Sequence, residues 1–188
     1  MTPDIRPVGP GDWPAVADLF GPDGAYDGCW CMFWRLPNAE LAANTPADNE
    51  AALRSLVEAG RPVGLLSYVD DVPVGWCAVA PRTAYRRLPR TVALKPSDPD
   101  DPTVWTVACF YIRRDHRRTG VATDLLDAAV AHAAGQGARA VEAHPVAEPA
   151  GKRPAVLSSG TLDLFLRAGF TPDDRPRVGR HVLVRRSL

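Results

Sequence analysis

Val104-Trp105-Thr106-Val107-Ala108-Cys109-Phe110-Tyr111-Ile112 runs into Arg113-Arg114-Asp115-His116-Arg117-Arg118-Thr119-Gly120-Val121-Ala122 and then into an Ala/Leu-rich segment ending near Gly135. The apolar run is rich in β-branched and aromatic residues and short enough for a strand buried on both faces, in mid-sheet. Beyond the basic turn, Val121, Leu125, Leu126, Ala129, Val130 and Ala133 recur at helical spacing, while Asp124, Asp127 and His132 fall on the other side. The spacing predicts one amphipathic helix that follows Gly120, with Thr119 and Thr123 able to cap it and Gly135 and Gly137 marking its end. A helix N-terminus behind a glycine aims free N–H groups and a positive dipole end at an approaching anion. Arg117 and Arg118 add forked donors suited to phosphate oxygens, so the turn reads as a pyrophosphate cradle; the alternative is a solvated basic turn that merely ends a strand.

Working outward, Asp4-Ile5-Arg6-Pro7 reads as an edge strand. A helix follows, with Asp12 as its cap, Pro14 in its first turn and Val16, Leu19 and Phe20 as its apolar stripe. Ala47 to Ala59 forms a second helix. Pro62 to Tyr68 and Val74 to Val79 read as an antiparallel hairpin joined by Val69 to Pro73, and Pro81 to Asp101 as a surface loop in which Tyr85, Arg86 and Arg87 can border a ligand. After the central helix, Ala138 to Ala143 is a strand parallel to the first, ending near Glu142 and His144. Val146 to Pro154 is a loop, Ser158 to Ala168 a further helix, and Val178 to Arg185 the last strand.

The 188 residues suit one domain, 1–188, with a proper core. Lys+Arg and Asp+Glu are both 22, so no global field points to nucleic acid or membrane. Four cysteines lie in or beside apolar stretches with no secretory or spanning run around them, which leads us to expect a reducing cytoplasm.

Tyr26 to Arg35 packs four aromatics and two thiols into one short segment. It is either a core plug or a pocket wall with Trp30, Trp34 and Arg35 facing a substrate. Metal binding is not expected, because Cys29-Trp30-Cys31 supplies two ligands and no second pair sits at zinc spacing.

Arg117-Arg118-Thr119-Gly120-Val121-Ala122, placed between strand and helix, resembles the Arg/Gln-x-x-Gly-x-Gly/Ala signature of the GCN5-related N-acetyltransferase (GNAT) superfamily. Phe165-Leu166-Arg167-Ala168-Gly169-Phe170 is similar to the late helix and Gly-Phe turn of the same proteins. The resemblance implies an α+β fold: a mixed, mostly antiparallel twisted sheet of about six to seven strands flanked by about four helices, with a splayed parallel strand pair at the cofactor site. It implies acetyl-coenzyme A as cofactor, with backbone groups of Phe110, Tyr111 and Ile112 pairing with the pantetheine arm. Arg117, Arg118, Thr119, Gly120, Val121 and Ala122 would hold the pyrophosphate, and Ser158 would touch the cofactor arm.

The implied activity is transfer of acetyl to the amine of a small molecule or protein by direct attack, with a homodimer compatible with the resemblance. Two departures follow: Phe165 stands where many relatives have a general-acid tyrosine, and the central strand has no glutamate. Glu142, His144 and Cys109 are the catalytic candidates carried forward; His116, Tyr111, Asp27, Thr106, Ser159 and Thr161 are further ones. A coenzyme A sensor without turnover and an unrelated nucleotide-binding domain are the competing expectations.

Overall fold

Strict alternation in the long second strand of the central hairpin, Val72–Pro81 (β3), sends Trp76, Ala78 and Ala80 to one face of a sheet and Cys77 and Val79 to the other. Both faces are covered, so β3 is buried almost throughout. The computed structural model describes residues 4–91, 98–147, 157–174 and 180–188. In them, Asp4–Pro7 (β1), Leu65–Val69 (β2), β3, Val104–Ile112 (β4), Ala140–Ala143 (β5), Thr171–Pro172 (β6) and Val184–Ser187 (β7) form a seven-stranded sheet ordered β1-β2-β3-β4-β5-β7-β6. Every pairing is antiparallel except β4 with β5. The helices are Trp13–Phe20 (α1), Asn38–Ala43 (α2), Pro46–Glu58 (α3), Val121–Gly135 (α4) and Leu162–Arg167 (α5). The expected mixed, mostly antiparallel sheet with one parallel pair is therefore present.

One core lies between the sheet and α1 and α3, where Val16, Phe20, Leu53 and Val57 meet Trp76 and Ala78. The other lies under α4 and α5, whose Leu125, Leu126, Ala129 and Phe165 meet Val79, Trp105 and Val107. Helix α4 sits so close to β3 that a Cβ on Gly75 would come within 2.8 Å of a Val121 methyl.

Several local readings change. Asp12 does not cap α1; its Oδ2 accepts from Gly9 N–H at 2.7 Å and closes a 3-10 turn over Pro10–Asp12. Thr119 does not cap α4, because its hydroxyl donates to the His116 carbonyl. The hairpin turn is only Asp70-Asp71, both at positive φ, with Val72 and Pro73 already in the strand. Helix α2 was not expected. Thr45 and Asp48 form a capping box at α3, a pattern visible in the sequence.

Helix α5 starts only at Leu162 because Thr161 caps it. The last strand is Val184–Ser187, with His181 making an isolated bridge to Val146, and residues 178–179 of the expected strand lie outside the described residues. The stretch from Pro81 is not a plain surface loop, since Arg82, Tyr85 and Leu88 are fully buried; residues 92–97 of it, and 148–154 of the later loop, lie outside the described residues.

Glu142, on β5, is 2% exposed and bonds Arg82 at 2.9 Å and Arg185 at 3.0 Å. It ties the segment after β3 to β7 beneath the sheet's centre. Glu142→Ala leaves the buried Arg82 guanidinium with the half-exposed Asp98 as its remaining ionic partner among the described residues, and is expected to cost about 3 kcal/mol, the low end for a broken buried pair, read as a lower urea midpoint with an unchanged slope.

Candidate active site

The site begins with a change of partner along β4. Its first four residues pair with β5, from Val104 opposite Ala140 to Val107 opposite Ala143, and the parallel pairing stops there. At the same point the register with β3 slips, Ala78 facing Cys109 and Val79 facing Val107, so Ala108 is a bulge. Before the bulge Trp105 and Val107 face α4; after it Phe110 and Ile112 do, and Cys109 and Tyr111 turn to the opposite core. One extra residue has exchanged the faces.

Arg113 N–H donates to Val74 O at 2.9 Å, and antiparallel bonding repeats every second residue, so the backbone groups of Tyr111 and Cys109 face β3. Those of Phe110 and Ile112 face the gap left by β5. The expectation that Tyr111 offers its backbone to a ligand is thus corrected: that backbone belongs to the ladder. Phe110 N–H is also taken, by the Ser158 carbonyl at 2.5 Å, because the turn before α5 folds into the gap. Ile112 N–H has no partner among the described residues, and its carbonyl accepts from Arg117 Nε at 3.0 Å.

From Arg118 to Ala122, none of the five backbone N–H groups has a hydrogen-bond partner among the described residues. Arg118 (φ 64°) and Gly120 (φ 98°) lie in the left-handed region, which curls these groups into a concave nest at the head of α4. A Cβ on Gly120 would meet nothing nearer than an Asp124 carboxylate oxygen at 3.8 Å, so the space in front is open. His116 Nδ1 lies 3.0 Å from the Asp115 carboxylate, away from catalytic use.

Beside Cys109 opens a cavity of about 720 Å³. Its lining includes the buried Cys109 and Ser159, the half-buried Ser158 and Arg87, and the exposed Phe33 and Arg180. Trp34 lies on the cavity wall. Trp30 and Arg35 do not: Trp30 stacks on Trp13 at 5.7 Å in the core, and Arg35 is buried over the Tyr85 ring, donating to the Pro62 and Val63 carbonyls. The aromatic segment is thus both plug and wall. It turns sharply, with positive φ at Ala25, Asp27, Trp30 and Cys31, which points neighbouring residues to different sides.

Glu142 and His144 do not line this cavity. Glu142 is consumed by its two arginines, and His144 stacks behind Trp34 at 6.1 Å. Sequence reasoning missed His181, which does line it. Its Nδ1 lies 2.8 Å from the His144 carbonyl, which can only accept, so Nδ1 carries the proton and Nε2 keeps a bare lone pair. Nε2 has no partner among the described residues. Burial, with a smaller contribution from the Arg180 charge, lowers the His181 pKa below the ordinary imidazole value and favours the neutral ring, while the bond to His144 opposes the shift. A lone histidine after an arginine-rich loop carries no local signal of this role. The Tyr26 hydroxyl, on the same wall, is pushed up to about 12, chiefly by burial, and stays protonated.

A half-open parallel strand pair, an anion nest at the head of the next helix and a cavity against the same strand define a coenzyme-dependent acyl-transfer fold. A match to the acetyltransferase (GNAT) family spans residues 29–151, and the chain belongs to that family. It is an acyl-coenzyme A-dependent N-acetyltransferase with acetyl-coenzyme A as its cofactor, which removes the expectation of an unrelated nucleotide-binding domain.

Solved structures share the fold at low identity. The chain is similar to an HPA2-related histone acetyltransferase structure from Corynebacterium glutamicum (TM-score 0.58, 19% identity, covering 100% of this chain and 97% of that one). It is also similar to a phosphinothricin acetyltransferase from Sinorhizobium meliloti in complex with AcCoA (0.56, 16%, 100% and 89%). A third is the PaiA N-acetyltransferase from Thermoplasma acidophilum in complex with coenzyme A (0.55, 8%, 100% of both). No curated protein matches the chain in sequence. Among the described residues no helix is long and apolar enough to cross a membrane.

Two thiols of the wall, Cys29 and Cys31, are not reactive nucleophiles. Burial pushes Cys29 up to about 12, and a bond with Cys109 followed by burial raises Cys31 well above its ordinary value. Since the thiolate is the reacting form, native Cys29 and Cys31 are expected to resist iodoacetamide at pH 8, where unfolded protein alkylates at least about 100-fold faster, followed by mass spectrometry.

Proposed function

We propose that this chain transfers acetyl from acetyl-coenzyme A to the amine of an acceptor seated in the cavity beside Cys109, by direct attack, with His181 as the base. Bound acetyl-coenzyme A supplies an activated thioester carbonyl. The observation that carries the reading is His181 itself: a neutral imidazole, its tautomer set by the His144 carbonyl, with an unpartnered Nε2 on the cavity wall. An amine is protonated near neutral pH and must shed a proton to attack, and Nε2 is placed to take it.

The nest from Arg118 to Ala122 fits a pyrophosphate, since five orphaned N–H groups and an open glycine face an anion's place. Arg117 is braced on the Ile112 carbonyl and keeps its terminal nitrogens for the same anion. Ile112 N–H is left to the amide of the arm. The turn from Leu157 to Gly160 takes up the gap at Phe110, so Ser158 limits the arm's path through its backbone. Phe165 is fully buried between Phe110 and Phe170 and has no proton to give. Tyr26 is the protonated hydroxyl on the cavity wall nearest in character to a donor for the departing sulfur.

The test is kinetic. His181→Gln should lower kcat about 100-fold with acetyl-coenzyme A affinity retained, as loss of a general base does. The wild-type acid limb should lie below the ordinary imidazole value, because burial favours the neutral ring and activity is lost only when pH falls through that lowered pKa; the limb should be absent in His181→Gln. An unchanged rate and pH profile in the variant would remove His181 from the mechanism. Separately, Gly120→Glu puts bulk and negative charge into the nest and is expected to abolish acetyl-coenzyme A binding in calorimetric titration.

A further inference from the structure

The described lining of the cavity holds two guanidiniums and one carboxylate, Arg87, Arg180 and Asp27. None of the three makes an ion pair among the described residues, although the chain's surface arginines elsewhere commonly do, as Arg54, Arg86 and Arg113 show. Arg87 is the more telling. Its Nε donates to the Leu36 carbonyl at 3.1 Å and its guanidinium lies 4.0 Å over the Phe33 ring, so the side chain is held while both terminal nitrogens are left without a partner. It is half-buried, and desolvation lowers its pKa from the ordinary value, a burial that no ion pair among the described residues offsets.

Arg180 bears no hydrogen bond or ion pair from its side chain among the described residues and immediately precedes His181. The two arginines are tied to one frame. Arg87 N–H donates to the Trp34 carbonyl at 3.2 Å, the Phe33 ring under Arg87 meets Trp34 at 4.9 Å, and Trp34 in turn meets the His181 ring at 5.8 Å. Trp34 therefore holds the proposed base on one side and the Arg87 perch on the other. An anion at the arginines and an amine at His181 would both be matched, with the Phe33 and Trp34 rings between Arg87 and His181.

We propose, resting on the function stated above, that the acceptor is an amino acid-like molecule whose carboxylate is bound by Arg87 and Arg180 while its amine reaches His181. A planar fork matches a carboxylate with two parallel hydrogen bonds, which a carboxamide cannot equal. Asp27, the one acid in the described lining, disfavours a second carboxylate on the acceptor and suits an incoming ammonium.

The experiment measures kcat/KM, by chromatographic release of coenzyme A, for free amino acids and for ω-amino acids from β-alanine to 6-aminohexanoate, each beside its own carboxamide. The best acceptor should be a free acid, favoured over its carboxamide by about 100-fold, as for loss of a partner from a desolvated charge. Arg87→Gln and Arg180→Gln should each shrink that ratio to within about threefold by raising KM for the acid, and lysine in place of Arg87 should restore it in part. Carboxamides or simple alkylamines turning over as well as the acids would overturn the proposal while leaving the acetyltransferase reading intact. So would variants that raise KM for acetyl-coenzyme A and not for the acceptor, which would place the arginines on the cofactor. Turnover of none of the acids by protein that binds acetyl-coenzyme A also overturns it. Failure to bind acetyl-coenzyme A would instead strike the functional reading itself.

Discussion

Everything near the site depends on how β4 shares its hydrogen bonds. From Trp105 to Val107 it is paired on both sides, and after Val107 it is paired on one side only, at the point where the Ala108 bulge exchanges its faces. A buried strand edge without partners is costly, so the fold has to answer it locally. The turn at Ser158 answers at Phe110, Arg117 answers at the Ile112 carbonyl, and Ile112 N–H remains for a ligand. The same exchange of faces brings Cys109 and Tyr111 out of the α4 core and onto the side where α1, α3 and the aromatic segment pack. Without the bulge, the cavity and the anion nest would have no common strand between them.

The strand, turn and helix from Val104 to Gly135 were legible because their apolar periods are strong and uninterrupted and because glycine marks the helix head. Shorter elements were harder to read. Helix α2 is six residues long with no buried side chain, so it has no stripe to detect, and β6 is two residues held by its neighbour alone. The bulge could not be seen either, since Thr-Val-Ala-Cys-Phe alternates as well in one register as in the other. Predictions of which backbone groups face outward are only as good as that register, which is why Tyr111 was misplaced.

In the site, identity and orientation separated. An aromatic cluster around Trp30 and Trp34 announced itself by composition, but the positive φ values within it decide that Trp34 faces the cavity and Trp30 the core. Glu142 has the right chemistry for a base and the wrong surroundings, because two arginines already hold it. His181 has unremarkable sequence neighbours and the right surroundings. Its usefulness comes from the carbonyl of a residue far back in the chain, a relation that only the sheet creates. The ion pairs of Glu142 arise on β5 and the Nδ1 bond of His181 joins the residue just after β5 to the stretch leading into the adjacent β7, so the framework that removes one candidate also orients the other.

Among the places from which the cavity draws its wall, three lie far apart in the chain: the aromatic segment near its start, the middle of β4, and the stretch around His181. No two of them are joined by a short loop. In folding terms these are contacts of long sequence separation, which form late because a large closure entropy precedes them. A chain still emerging during synthesis, or one with only α4 and its strands assembled, therefore has a place for an anion before it has a place for an acceptor.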